Sequence, residues 1–148
     1  MKRSTAHILA ALKTLIEAAT PPTSTGADDD LYRVQIGDRF SQTGGRVVLI
    51  NATAGRRKPT GGATCVDWES SVTVTNLLAD IPTADDEWTA TQVAIDDQEA
   101  ILAAILNWSI VTDGIVSVDA DEAQPSMTGD NMVSYVRNVN IRYLRSEV

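Results

Sequence analysis

The sequence predicts a single α+β domain, built as one mostly antiparallel sheet of about five strands with two helices packed on it, in the order α-β-β-β-α-β-β. Three observations carry this. Two segments, within 4–19 and 85–108, place apolar residues at helical spacing. The segments between and after them alternate apolar with polar residues, or run β-branched between turn signals. The length, 148 residues, is that of one ordinary domain, and neither a repeat nor a composition shift marks a second.

The first helix is expected from Ser4 to Ala19. Ile8, Leu12, Leu15, Ile16 and Ala19 form one stripe with Leu9 at its edge, Ser4 is placed to cap the N-terminus, and Pro21-Pro22 ends the run. Lys2 and Arg3 near its start and Glu17 near its end oppose the helix dipole, so this helix must gain its stability by docking its stripe. After a turn-rich connector, Leu31–Ile36 reads as a half-buried strand with Tyr32, Val34 and Ile36 on one face. Val47-Val48-Leu49-Ile50 suits a central strand covered on both faces. Ala52–Thr64, with Gly55, Arg56, Arg57, Lys58, Pro59, Gly61 and Gly62, reads as a long basic loop. Val66–Leu77 alternates as a long strand.

The second helix lies within Asp85–Trp108. Thr89 and Gln92 have capping-box spacing, and Asp85, Asp86 and Glu87 suit the positive end of the dipole. Ala94, Ile95, Ile101, Leu102, Ile105, Leu106 and Trp108 form its apolar stripe, with Asp96, Asp97, Glu99 and Asn107 mostly opposite. Ile110–Val118 is β-branched around an Asp113-Gly114 turn signal, Asp119–Asp130 is an acidic loop, and Val133–Leu144 closes the domain as a strand with Val139, Ile141 and Tyr143 on one face.

Composition limits the function. With 43% apolar and 22% charged residues the chain is globular, and no run reaches the ~20 apolar residues that a membrane helix needs. Lys13 and Glu17 interrupt the apolar stretch that a signal peptide would require. Cys65 is the only cysteine, so no internal disulfide forms. The net charge of −8 argues against coating nucleic acid or an anionic membrane. That charge is segregated: between Lys58 and Arg137 there is no Lys or Arg, while acidic residues recur throughout. Such a stretch is a solvated face, a surface that meets a basic partner, or the lining of a channel that DNA slides through without sticking.

The usual catalytic constellations are not legible. His7, the only histidine, sits on the first helix off its apolar stripe, where a surface role is expected. Asp119, Asp121 and Glu122 resemble the start of a calcium loop, but its glycine and its closing glutamate are missing. Asp96 and Asp97 diverge by about 100° on a helix. Gly44-Gly45 and Gly61-Gly62 belong to no phosphate-binding fingerprint. The expectation is therefore a non-enzyme with no cofactor and no metal site. The candidate contact residues are Arg56, Arg57 and Lys58 on one copy, facing an acidic surface such as Asp85, Asp86 and Glu87 on the next.

Taken together, three segments resemble the tail terminator proteins of long-tailed phages, the lambda-type minor tail protein family. They are the helix Ile8-x-x-x-Leu12-x-x-Leu15 leading into strands; the strand Trp68-Glu69-Ser70-Ser71-Val72-Thr73-Val74 followed by a helix with an early acidic residue, Asp96 or Asp97; and the closing segment from Asp130 through Met132-Val133-Ser134 to Val139-Asn140-Ile141-Arg142-Tyr143. The resemblance implies a virion structural protein, assembled in the host cytoplasm as a homo-hexameric ring at the head-proximal end of the tail tube. Such a ring stops tube polymerisation and joins the tail tube protein to the head-neck connector, and DNA passes its lumen only as cargo. It implies no enzyme, no cofactor and no membrane. The alternatives are another neck or head-completion protein of the same particle, a small cation- or ligand-binding α+β domain using Asp119–Asp130, and an adaptor using the basic loop on nucleic acid.

Overall fold

The computed structural model describes residues 4–23, 31–37, 45–57, 65–79, 87–108, 114–126 and 132–146. Helix α1 (Thr5–Glu17) opens the chain, followed by strands β1 (Arg33–Ile36), β2 (Gly45–Ala52), β3 (Arg56–Arg57) and β4 (Cys65–Ala79). Helix α2 (Glu87–Leu106) leads to β5 (Ile115–Ala120), β6 (Gln124–Pro125) and β7 (Met132–Ser146). The longer strands form one sheet in the order β1-β2-β4-β7-β5, with β3 added to β4 and β6 to β7. The α+β architecture and its five longer strands follow the expected order, with two short strands added. The sheet is mixed rather than purely antiparallel, because β1 runs parallel to β2.

Alternation decides which side chains meet the helices. Register places Ile50 opposite Val74, Val72 opposite Val139 and Ser70 opposite Ile141, all on one face. That face, with Tyr32, Val34, Val48 and Ile115, receives Ile8, Leu12 and Ile16 of α1 and Ile101 and Ile105 of α2 in one core cluster. Each such side chain, fully buried, contributes about 1.5–3 kcal/mol. Ser4 caps α1 as expected, its hydroxyl accepting from His7 N–H at 3.2 Å. α1 lies over β1 and β2, and α2 over β4, β7 and β5.

Several expectations are corrected. Arg56 and Arg57 are not part of an open loop: they continue the β2 edge, pairing with Glu69 and Trp68 of β4. Ala52 pairs with Val72 and Arg56 with Glu69, so Thr53, Ala54 and Gly55 face Ser70 and Ser71, which is a β-bulge. Ile36, assigned to the buried face, is 50% exposed because β1 ends there. Val47, Val48 and Ile50 are buried, but Leu49 is only half-buried, so double cover of β2 is incomplete. Thr89 does not cap α2, which already begins at Glu87. Ile95 and Leu106 of the expected apolar stripe are exposed. Part of the acidic loop is strand: Asp119 and Ala120 end β5, and Gln124 and Pro125 form β6. Gly114 takes φ 69° at the turn before β5, where its carbonyl accepts from Leu144 N–H at 2.9 Å.

Candidate functional site

Of the expected contact residues, Arg56 and Arg57 are exposed on β3. Glu87 opens α2. Lys58, Asp85 and Asp86 lie outside the described residues. A juxtaposition of the basic and acidic clusters is therefore not part of what the described residues show.

The strongest polar constellation is one that sequence patterning missed. Arg46 at the start of β2 and Asp97 of α2 are 1% and 2% exposed. The Arg46 Nη1 group donates to both Asp97 oxygens, at 2.7 and 2.6 Å, and Nη2 donates to Thr23 Oγ1 at 2.7 Å. The Tyr32 hydroxyl donates to Asp97 Oδ1 at 3.1 Å. Burial, then the neighbouring Asp97 carboxylate, pushes the Tyr32 phenol well above its usual range, with Arg46 opposing. Four parts of the chain, the segment after α1, the residue before β1, β2 and α2, are thus tied at one point. Helical spacing had placed Asp97 on the polar side of α2. The overlooked signal was Arg46 itself: an arginine leading an apolar strand run needs a carboxylate once buried.

A further tie lies under the same helix. Arg137 of β7, 9% exposed, donates from Nε to Gln98 Oε1 at 3.2 Å and from Nη1 to the Asp121 carbonyl at 2.7 Å. Burial lowers its guanidinium from the ordinary value, and Glu99 partly offsets this. Gln98 Nε2 also donates to the Val74 and Tyr135 carbonyls, at 3.4 and 3.3 Å. Asn76 Nδ2 donates to the Ala94 carbonyl at 3.0 Å. At the other end of the domain, Gly55 N–H donates to Thr5 Oγ1 at 3.1 Å, which lies 2.8 Å from the Tyr143 hydroxyl.

The sheet face away from the helices is polar over much of its area. Glu69, Ser71, Asp119, Asp121, Asn138 and Asn140 border a depression of about 570 Å³. Within it Asn140 Nδ2 donates to Glu69 Oε1 at 3.1 Å. Among the described residues no group of three or more His, Cys, Asp and Glu side chains is placed to hold a metal ion. His7 is exposed on α1, and Cys65 begins β4. Another depression, of about 460 Å³, lies against α2 and is bordered by Thr23, Gln92, Ile95 and Asp96.

Among the described residues, the two sides of the sheet differ in charge. Arg33 on β1 and Arg56 and Arg57 on β3 are exposed along one side. Asp119 on β5, with Asp121 and Glu122 directly after it, is exposed along the other. No protein-family model matches this chain, and no curated protein matches it significantly.

Proposed function

We propose that this chain is a structural subunit of a phage tail, a terminator that assembles into a ring at the head-proximal end of the tail tube. The observation that carries the structural part is the Arg46–Asp97–Tyr32–Thr23 tie. Its Arg46, Asp97 and Tyr32 side chains are buried and join helix to sheet, while Thr23 lies at the rim of the depression against α2. The ring and its place on the tube rest on the resemblance of the Ile8–Leu15, Trp68–Val74 and Asp130–Tyr143 segments. The carboxylates Glu69, Asp119 and Asp121 on the polar sheet face repel phosphates, which suits a wall past which DNA slides.

Mass photometry across protein concentration, with negative-stain imaging of large species, tests this reading. A closed ring of about six copies with a central hole supports it. The same preparation, added below stoichiometry to polymerising tail tube protein, should shorten the tubes. A chain that neither closes into rings nor shortens tubes overturns it. The competing reading is a cation held by the acidic segment Asp119–Asp130, although among the described residues no three carboxylates are placed together to hold one. Calorimetric titration with Ca²⁺ and Mg²⁺ separates the two, because binding at a defined stoichiometry would displace the ring reading.

A further inference from the structure

We infer that the first half of α2 is built to open from the sheet as a unit, while the second half, from Ile101 onward, stays docked. The opening needs no second copy, so it stands apart from the ring-subunit reading.

α2 buries two kinds of side chain. Ile101 and Ile105, with Trp108 just after the helix, belong to the main core cluster, together with Ile8, Leu12 and Ile16 of α1. No described side chain of 89–98 joins that cluster. Val93 and Ala94 instead join Leu78 in a smaller one, against which Ala90, Val133 and Tyr135 pack. The other buried side chains of this half are polar, Asp97 and Gln98, 2% and 1% exposed.

Polar ties therefore hold much of the first half. Asp97 accepts from Arg46 and Tyr32. Gln98 accepts from Arg137 Nε at 3.2 Å and donates to the Val74 and Tyr135 carbonyls at 3.4 and 3.3 Å. All three are longer than the usual value of about 2.9–3.0 Å. The Ala94 carbonyl accepts from Asn76 Nδ2, but Asn76 Oδ1 is buried with no hydrogen-bond partner among the described residues.

Water decides which half lets go. Each of these polar groups regains hydration when the first half lifts. Arg46 and Asp97 lost theirs in order to pair, Arg137 is held by an amide and a carbonyl, and Asn76 Oδ1 gains a partner. Ile101 and Ile105 regain nothing, because exposing them forfeits their burial. A helix whose buried face changes from polar to apolar between Gln98 and Ile101 has a boundary there between two opening units. At that boundary Glu99 is exposed and Ala100 is half-buried. The depression bordered by Gln92, Ile95 and Asp96 already flanks the first half. Opening uncovers Leu78, Val133 and Tyr135 on the sheet.

Native-state hydrogen exchange, read by NMR across low urea concentrations, tests this. Relative to their intrinsic rates, amides 91–98 should exchange at least about tenfold faster than 102–106. They should share one opening constant and show little urea dependence below the global transition. Protection should step up between Gln98 and Ile101. Ile105→Val then separates the two units. The contacts of Ile105 persist in the open form, so the variant should speed exchange at 102–106 by roughly fivefold and leave 91–98 unchanged. Equal protection through 91–106 overturns the opening. So does a gradual rise from the helix N-terminus, which is ordinary end fraying. An Ile105→Val variant that speeds 91–98 by the same factor overturns it too, because the whole helix then opens together.

Discussion

At the scale of single residues, Asp97 ties α2 to β2 and to the residue before β1. Its carboxylate accepts from both Arg46 Nη1 and the Tyr32 hydroxyl. Asp97→Ala leaves a guanidinium buried without its carboxylate and should cost about 3–5 kcal/mol in urea unfolding. The double substitution Arg46→Met/Asp97→Leu removes both charges and should fall within about 1–2 kcal/mol of the wild type. A double variant as damaged as the single would show that packing, not charge, is what matters there. Tyr32 adds a pH dependence. Its phenol ordinarily titrates at 10.0 and is held far higher in the fold, so the unfolded chain releases its proton first. Stability from this group is complete below pH 10 and declines as pH rises above it. Tyr32→Phe should flatten that alkaline decline in thermal melts.

At the scale of elements, the docking of α1 depends on a bulge in a strand remote from it in sequence. The Thr53–Gly55 bulge brings Gly55 against the first turn of α1. A Cβ at Gly55 would collide with the Tyr143 hydroxyl, Thr5 Oγ1 and the Trp68 ring. Gly55→Ala should therefore cost about 1–3 kcal/mol and raise hydrogen exchange along α1 before the β4–β7 pairing is affected. The elements themselves were largely legible. The Ile8–Leu12–Ile16 stripe, the alternation of β4 and the Val139–Ile141–Tyr143 face emerged because period and burial coincide there. Arg56 and Arg57 read as loop because a glycine and a basic cluster mimic turn chemistry, and no local pattern announces a two-residue strand whose partner follows a connector. The parallel β1–β2 pair was equally hidden, since strand direction is a tertiary property. The Arg46–Asp97 tie failed for a related reason: helical periodicity sorts residues by polarity and has no means of knowing that a charge has a partner waiting inside.

At the scale of the whole molecule, the sheet is interleaved: β7 lies between β4 and β5 and also pairs with β6. Removing residues 132–148 takes out an interior strand, Val139, Ile141 and Tyr143 included, and should leave a chain without a cooperative urea transition. The same interleaving has a consequence during translation. β4 is made well before its long partner, and at about 5–20 residues per second the ribosome leaves it waiting for several seconds. Through that interval Val72 and Val74, destined for complete burial, belong to a strand half of whose ladder does not yet exist. On a polysome, neighbouring nascent chains would hold the same unfinished strand side by side. The yield of native protein should then depend on how quickly translation reaches β7: slow codons in the 80–131 stretch lengthen the exposure, and a holdase chaperone shields it.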